Sequence, residues 1–362
     1  MSRTTLGRKA FKGRGALSNP AGRFEHQRLE EVDDGWYVEE QPDSIATTVE
    51  PDRAKGIISK NDSPDIPFEY SINPYRGCEH GCVYCYARPS HAYMGLSAGI
   101  DFETRLFYKA DAGRVLEEEL ARPGYVCKPI TVGANTDPYQ PIERQMLVTR
   151  AVLEVLARTR HPVSIISKSA LVLRDLDLLT DLARDNLVSV AISITTLSAA
   201  TKRSLEPRTA SPQARLRVVR ELNAAGVPTG VMVAPVIPAI TDHEMEAILE
   251  AATAAGARWA GYVLVRLPYE IKDLFREWLT EHFPDRAAHV MSLIQDMRGG
   301  RDNDPRFGTR MRGTGPLAEL LRGRFKIACK RLNLNSGSRE IPQHTHLFRP
   351  PLREGSQLQL GL

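Results

Sequence analysis

The sequence predicts an α/β protein whose core is an open, partial (β/α)6 barrel of the TIM type. Short apolar segments alternate about six times with segments of helical periodicity between residues 68 and 267. The apolar segments are nearly continuous, which is typical of parallel strands covered on both faces. Six such units are two short of a complete barrel, so we expect a gap that would admit a bulky substrate. Periodicity alone does not distinguish this barrel from a doubly wound sheet.

The predicted elements follow one another in a regular order. Strands are expected at 68–75, 129–134, 163–167, 187–195, 227–238 and 259–267. Helices are expected at 141–160, 173–185, 211–226 and 242–256. In the third of these helices Ser211 is the expected N-cap, Pro212 occupies the first helical position, and Gly226 marks the end.

The segments outside this core differ from it in composition. Residues 1–65 are polar and rich in Gly, Pro, Arg and Asp, so we expect an irregular N-terminal arm that can fold back on the main body. Residues 66–270 form the predicted core barrel. Residues 271–334 form a helical C-terminal extension with a Gly/Arg-rich interruption at 298–315, and residues 335–362 form a loose tail.

The composition, 42% apolar and 25% charged, is typical of a soluble globular protein. No apolar run reaches about 18 residues and the basic N-terminus lacks the apolar segment of a secretory signal. We therefore expect a cytoplasmic protein with no membrane partner. The net charge of +4 is uneven, with basic residues concentrated at 1–24 and 298–331. Either patch could meet a phosphate backbone, or be only a solvated arm or helix face.

Three of the five cysteines, Cys78, Cys82 and Cys85, lie within eight residues. The odd total of five cysteines and the clustering of three of them disfavour a disulfide framework. Both observations favour a metal site or cluster in a reducing compartment. A structural zinc site closes with four ligands, and His80 or His91 could supply the fourth. A [4Fe–4S] cluster also takes four ligands. Three protein thiolates would leave one iron open for a cofactor, which would be useful to an enzyme.

The spacing C-x3-C-x2-C, with Tyr84 directly before the third cysteine, resembles the CxxxCxΦC motif of the radical S-adenosylmethionine (SAM) superfamily, in which Φ is aromatic. Cys78, Cys82, Tyr84 and Cys85 match every position. The resemblance implies a [4Fe–4S] cluster held by these three cysteines, with SAM bound at the open iron. It also implies reductive cleavage of SAM to a 5′-deoxyadenosyl radical that abstracts hydrogen from a substrate. The electron would come from a flavodoxin- or ferredoxin-type donor.

The resemblance further implies that SAM is held at the carboxyl ends of successive strands. Asn135, Thr136 and Asp137, in "GANTDP" after the second strand, are candidates for binding the SAM amino group. The alternative for this stretch is an Asx turn with a helix cap. Lys168, after the third strand, could pair with the SAM carboxylate, or could be a surface lysine.

Further candidates come from the cysteine loop and the fourth strand. Tyr84 could lie against a base as an aromatic ring. Ser193 and Thr195 could bond the ribose hydroxyls, because alternation along a strand sends both side chains toward one face. Strand propensity explains the threonine equally well.

Four stretches resemble the spore photoproduct lyase-like group of the superfamily, often labelled DNA repair photolyases: 73–88, 133–143, 206–216 and 226–242. The resemblance implies a lyase that acts on nucleic acid. One position departs from the pattern, because such lyases carry a cysteine near the end of the second strand and this chain has Asn135 there. Asparagine does not donate a hydrogen atom as a thiol does, so the lyase reaction itself does not follow.

Four functions stay open at this point. The chain could be a radical SAM enzyme acting on nucleic acid, or one acting on a peptide or small metabolite. It could also be a non-catalytic iron–sulfur binding protein, or a zinc-stabilised interaction domain. The group resemblance and the arginines of 298–331 favour the first, although the sequence contains no recognised nucleic-acid-binding motif.

Overall fold

The structure is a computed structural model that describes residues 11–24, 44–337 and 344–352. Its strands are β1 (Thr48–Pro51), β2 (Ile58–Lys60), β3 (Tyr70–Ile72), β4 (Tyr75–Arg76), β5 (Arg105–Tyr108), β6 (Ile130–Val132), β7 (Val163–Ser167), β8 (Val188–Ser193), β9 (Thr229–Val236) and β10 (Trp259–Leu264). Its helices are α1 (Asp101–Thr104), α2 (Ala112–Leu120), α3 (Glu143–Met146), α4 (Val148–Arg158), α5 (Leu176–Arg184), α6 (Ala199–Leu205), α7 (Pro212–Ala224), α8 (Met245–Ala254), α9 (Ile271–His282), α10 (Ala287–Asp296) and α11 (Gly315–Arg331).

The main sheet contains the six predicted parallel strands. They lie in the order β3–β6–β7–β8–β9–β10, each hydrogen-bonded to the next. Apolar side chains of the strands and of the intervening helices form one large core. Among the described residues β10 pairs with neither β2 nor β3, so the sheet does not close. The predicted α/β architecture with a partial barrel is therefore confirmed.

The structure differs from the prediction at the N-terminal side. β2 pairs antiparallel with β3 and extends the main sheet, while β1 and β4 flank β5 in a small second sheet. Residues 48–60 thus include strands where the sequence predicts an irregular arm. These strands have three and four residues, too few for a periodic pattern, and pairing with distant segments forms them. The other parts of the predicted arm and tail, 1–10, 25–43, 338–343 and 353–362, lie outside the described residues.

The helix predicted at 141–160 is broken into α3 and α4. Leu147, between them, has a positive φ of 55°. The Glu143 carboxylate accepts hydrogen bonds from the backbone N–H groups of Thr149 at 2.9 Å and Arg150 at 3.3 Å. A side chain of α3 therefore caps the start of α4, and the apolar period continues through the break. The predicted cap of α7 is confirmed, because the Ser211 hydroxyl accepts from the backbone N–H of Ala214 at 3.2 Å.

The loop between α10 and α11 bridges the open side of the barrel. The buried Arg298 guanidinium donates to the carbonyl oxygens of Val265 at 2.7 Å and Arg310 at 2.8 Å, which fastens the loop to the end of β10. The Arg310 Nε donates to the Asp65 carboxylate at 2.8 Å, beyond β2 at the other edge of the sheet. The chain itself thus occupies part of the predicted gap. Within the described ranges no helix has both the length and the apolar character of a membrane span.

Candidate functional site

The three clustered cysteines lie on the loop that follows β4. Cys78 and Cys82 are buried, Cys85 is half-buried, and all three are free thiols. Gly77 and Gly81 have φ angles of 76° and 68°, in the left-handed region that side chains with a Cβ rarely adopt. The tight turns that bring the thiols onto one short loop therefore depend on glycine at both positions.

Burial dominates the electrostatics of these thiols. It raises the pKa of Cys82 to about 12 and the pKa of Cys78 well above its ordinary value. Asp137, Cys82 and Cys85 raise the pKa of Cys78 further, so the three sulfur atoms are close enough to influence one another. The thiols therefore keep their protons in the metal-free protein, and binding iron must release them.

The donor set fits an iron–sulfur cluster better than a single ion. Among the described residues no three His, Cys, Asp or Glu side chains converge on a point where one metal ion could bind. A cubane cluster does not need such convergence, because each thiolate binds a different iron. Two histidines were considered as a fourth zinc ligand. His91 Nε2 lies 2.9 Å from the Arg105 carbonyl oxygen, and His80 Nδ1 lies 3.3 Å from the Asp137 carboxylate without forming a hydrogen bond to it.

A buried ion pair holds the cysteine loop in place. The Arg88 guanidinium donates to the carbonyl oxygen of Cys82 at 2.9 Å and pairs with Glu103, and neither charged side chain is exposed. The Glu103 carboxylate also accepts from the backbone N–H groups of Gly15 and Ala16, both at 2.9 Å. One carboxylate thus connects the cysteine loop to the N-terminal arm.

The arm packs directly on the cysteine loop. A Cβ built on Gly15 would lie 1.8 Å from the carbonyl oxygen of Gly81, so the two backbones touch. The Arg14 guanidinium donates to the carbonyl oxygen of Glu103 at 2.9 Å, and the Ser18 carbonyl accepts from the N–H of Ile100 at 3.2 Å. Residues 11–24 of the arm fold back on the main body, but their contact with the cysteine loop was not predicted. The sequence feature that permits this contact is Gly15, because no residue with a Cβ fits against the Gly81 backbone.

Tyr84 joins the loop to the fourth strand of the barrel. Its hydroxyl donates to Glu206, which also accepts from the Thr195 hydroxyl at 2.7 Å and pairs with Arg215. All four side chains are buried. Burial would raise the pKa of Glu206, but Arg215 and Lys168 outweigh it and lower that pKa to about 2. Glu206 is therefore an ionised strut beneath the site, which the sequence analysis did not single out.

Asp137 is a second carboxylate whose hydrogen bonds hold parts of the site together. Its carboxylate accepts from the N–H of Tyr139 at 2.9 Å, the Ser167 hydroxyl at 2.8 Å and the N–H of Lys168 at 2.7 Å. Burial would raise the pKa of Asp137, but His80 and these donors outweigh it and lower that pKa to about 2. The bond to Tyr139 is the Asx turn that the sequence left as an alternative. The carboxylate therefore joins the ends of the second and third strands.

The other predicted cofactor contacts fall into two groups. In the first group the hydroxyls bond to the protein itself. The Thr136 hydroxyl donates to the carbonyl oxygen of Tyr75 at 2.9 Å, and the Thr195 hydroxyl lies 3.0 Å from the carbonyl oxygen of Ala234. The other group is free of such bonds: among the described residues the side chains of Asn135 and Ser193 have no hydrogen-bond partner, and Lys168 has no carboxylate within 4.0 Å. Cofactor contact stays a prediction for all five.

Lys168 is a cation beside the cysteines that forms no direct ion pair among the described residues. Its Nζ lies 6.0 Å from the centroid of the Tyr84 ring. It lowers the pKa values of Cys82 and Cys85, so its charge acts directly on the loop. Its backbone N–H is fixed by Asp137, which positions the side chain at the end of β7. The geometry suits a residue that binds an anionic group next to the cysteines.

Comparison with known proteins gives a consistent result. Residues 72–252 match the family model described as the radical SAM superfamily. An uncharacterised Mycobacterium tuberculosis protein, Rv2578c, is 36% identical over 290 residues, which cover 80% of this chain and 82% of that protein. A radical SAM Nalpha-GlyT isomerase of Pseudomonas phage M6 is 23% identical and covers 74% of this chain and 51% of that protein.

Solved structures share the fold. Spore photoproduct lyase complexed with dinucleoside spore photoproduct superposes with a TM-score of 0.56 at 16% identity, covering 78% of this chain and 79% of the lyase. A mutant of that lyase with bound AdoMet and the same photoproduct also gives 0.56 at 15% identity, covering 78% of each chain. At this identity the likeness concerns the fold alone.

Gly15→Ala is expected to loosen the arm from the cysteine loop, because the added methyl group meets the rigid backbone of Gly81. Overpacking of this kind costs about 1 to 3 kcal/mol. Trypsin should therefore cleave after Arg14 several-fold faster than in the wild type. The matched control is Gly323→Ala in α11, where a Cβ has no atom within 4 Å. Equal cleavage rates in the wild type and Gly15→Ala would show that the arm contact does not exist.

Glu206→Gln is expected to lower the free energy of unfolding of the metal-free chain at pH 7 by about 3 to 5 kcal/mol, because it leaves Arg215 buried without a counter-charge. The pKa of Glu206 is lowered, so its contribution is present above about pH 4.5 and is lost as the pH falls toward 2. The difference between variant and wild type should shrink over that range in urea titrations followed by circular dichroism. A difference independent of pH would contradict the assignment.

Proposed function

Because the chain belongs to the radical SAM superfamily, we propose that it is an enzyme that binds a [4Fe–4S] cluster through Cys78, Cys82 and Cys85 and binds SAM beside it. The cluster with SAM would supply a 5′-deoxyadenosyl radical, formed by one-electron cleavage of the sulfonium, that abstracts hydrogen from a substrate. The observation that carries this proposal is a loop of three free thiols, two of them buried and one half-buried, next to Lys168, which has no carboxylate within 4.0 Å in the described ranges.

The protein's own groups would bind and orient SAM. The Lys168 ammonium would pair with the SAM carboxylate, the Asn135 side chain is a candidate for the amino group, and the Ser193 hydroxyl for the ribose. Thr136 and Asp137 would act through the backbone that their hydrogen bonds hold in place.

The surroundings of the loop would limit the access of water. Cys82, Val83 and Tyr84 pack in a buried apolar cluster with Leu205 and Ile237. A site shielded in this way keeps a reactive radical from bulk solvent. Tyr84, held by Glu206, would give the site a rigid wall.

We propose nucleic acid as the substrate class. The support is the fold shared with a lyase whose structures contain a dinucleoside photoproduct. The arginines of 298–331 contribute less than the sequence predicts: Arg298 is buried, and Arg310 and Arg324 pair with carboxylates. Asn135 supplies no thiol, so we do not propose the lyase reaction itself. A peptide or small metabolite is the alternative substrate class.

The reaction requires an electron donor, and we propose a flavodoxin- or ferredoxin-type protein for this role. We also propose a cytoplasmic location, because all five cysteines are free thiols and such thiols persist in a reducing compartment. A cluster with an open iron is likewise best preserved there.

Cys78→Ala, Cys82→Ala and Cys85→Ala should each abolish cluster assembly, because each removes the ligand of one iron. Iron and acid-labile sulfide are measured after anaerobic reconstitution, and 5′-deoxyadenosine is measured after adding SAM and dithionite. Cys127→Ala and Cys329→Ala are the matched controls and should behave as the wild type. Zinc in place of iron would reject the proposal. A cluster that yields no 5′-deoxyadenosine would indicate a non-catalytic iron–sulfur protein.

Lys168→Met should weaken SAM binding roughly 10- to 100-fold, since a hydrogen bond to a charged group contributes about 1.5 to 3 kcal/mol. The iron content should not change. Equilibrium dialysis with labelled SAM on the reconstituted protein measures the effect. Lys128→Met, at the opposite end of the second strand, is the control and should bind SAM normally. Unchanged SAM affinity in Lys168→Met would remove Lys168 from the site.

A further inference from the structure

A second unpaired cation lies near the cysteine loop. Arg266 is two residues beyond the end of β10 and is half-buried. Its Nε is buried without a hydrogen-bond partner, and its Nη1 has only the weak acceptor Sδ of Met311, at 3.6 Å. Within the described part of the chain no carboxylate lies within 4.0 Å of its guanidinium. The fold therefore leaves most of the donors of this side chain unused.

Burying a charge without a partner is unfavourable. The buried Arg298 has no carboxylate partner within the described ranges, but its Nη1 and Nη2 donate to backbone carbonyl oxygens. The buried guanidiniums of Arg88 and Arg215 pair with Glu103 and Glu206.

For Arg266 burial lowers the pKa and the nearby Arg310 lowers it further, and together they outweigh the opposite effects of Tyr86 and Asp65. An arrangement that destabilises the free protein is expected where a ligand completes it.

The contact of Arg266 with Tyr86 does not account for its position. The guanidinium carbon lies 5.9 Å from the centroid of the Tyr86 ring, at the outer limit of a cation–π interaction. Such a contact stabilises only weakly at a site that is partly exposed. The Tyr86 ring is itself 50% exposed. Tyr86 is therefore accessible to an incoming group.

The location of the pair points to the substrate. Tyr86 directly follows Cys85, and its hydroxyl donates to the carbonyl oxygen of Ala134 beyond the end of β6. Arg266 approaches the same ring from the end of β10. The two residues thus reach toward each other across the mouth of the barrel. Lys168 lies beside Tyr84, so each tyrosine next to Cys85 has its own unpaired cation.

SAM carries a single carboxylate, which the proposed function assigns to Lys168. We propose that Arg266 binds an oxyanion of the substrate, a phosphate or a carboxylate, at the barrel mouth beside Tyr86. The inference rests on the proposed function for its account of Lys168. A guanidinium suits this task because two parallel N–H groups can hold two oxygens of one phosphate or carboxylate.

Arg266→Gln tests the inference through anion binding. The thermal midpoint is measured in sodium phosphate, sodium acetate and sodium chloride at equal ionic strength, on the reconstituted protein and on the metal-free chain. The wild type should be stabilised by phosphate, acetate or both relative to chloride, and Arg266→Gln should bind the same anion at least about tenfold more weakly. Arg276→Gln, an exposed arginine paired with Asp302, is the control and should respond as the wild type.

The pattern of responses identifies the source of the oxyanion. Stabilisation by phosphate alone indicates a nucleotide-type substrate, and stabilisation by acetate alone indicates a carboxylate substrate. Without added anion, Arg266→Gln should melt no lower than the wild type, because it removes an uncompensated charge. Arg266→Lys keeps the charge and should recover part of the anion response.

Three results would overturn the inference: no anion response in the wild type, an equal response in Arg266→Gln, or loss of SAM affinity in Arg266→Gln. The last would place Arg266 in the cofactor site. The proposed function fails separately, if the wild type forms no cluster or does not cleave SAM. The anion response of the metal-free chain does not depend on either of those steps.

Discussion

The site depends on the buried ion pair between Arg88 and Glu103. Arg88 binds the backbone of the cysteine loop at Cys82, and Glu103 binds the arm at Gly15 and Ala16. The loop has little regular structure of its own, so its backbone groups need partners from elsewhere. Because both charges are buried, removing either would leave the other uncompensated. The pair therefore connects the position of the thiols to the stability of the whole N-terminal region.

Charged groups around the site divide into two classes. Glu103 and Glu206 are buried carboxylates, the Asp137 side chain is 10% exposed, and each of the three accepts from several donors. Glu103 joins the cysteine loop to the arm, while Asp137 and Glu206 join loops to strand ends. Lys168 and Arg266 are cations without a carboxylate partner in the described ranges. The carboxylates fix the positions of the loops around the site, and the two cations are the groups to which we assign anion binding.

The division also shows where sequence reasoning met its limit. Asp137 and Thr195 stand at the strand ends where cofactor ligands are expected, and the structure gives both of them internal partners. A carboxylate and a hydroxyl can serve a ligand or a neighbouring strand equally well. Only the positions of distant donors, such as Ser167 for Asp137, distinguish these uses. The contact of the arm at Gly15 could not be predicted either, because its partners Gly81 and Glu103 are distant in the sequence.

The sequence by itself determined the six parallel strands, the cap of α7 and the loop of three thiols. Each of these depends on local chemistry: apolar runs, a serine before a proline, and cysteines at short fixed spacing. The tertiary structure alone decided the break between α3 and α4, the strands at residues 48–60, and which polar groups are struts or free cations. Those features depend on partners far apart along the chain, and a linear pattern contains no record of distance in space.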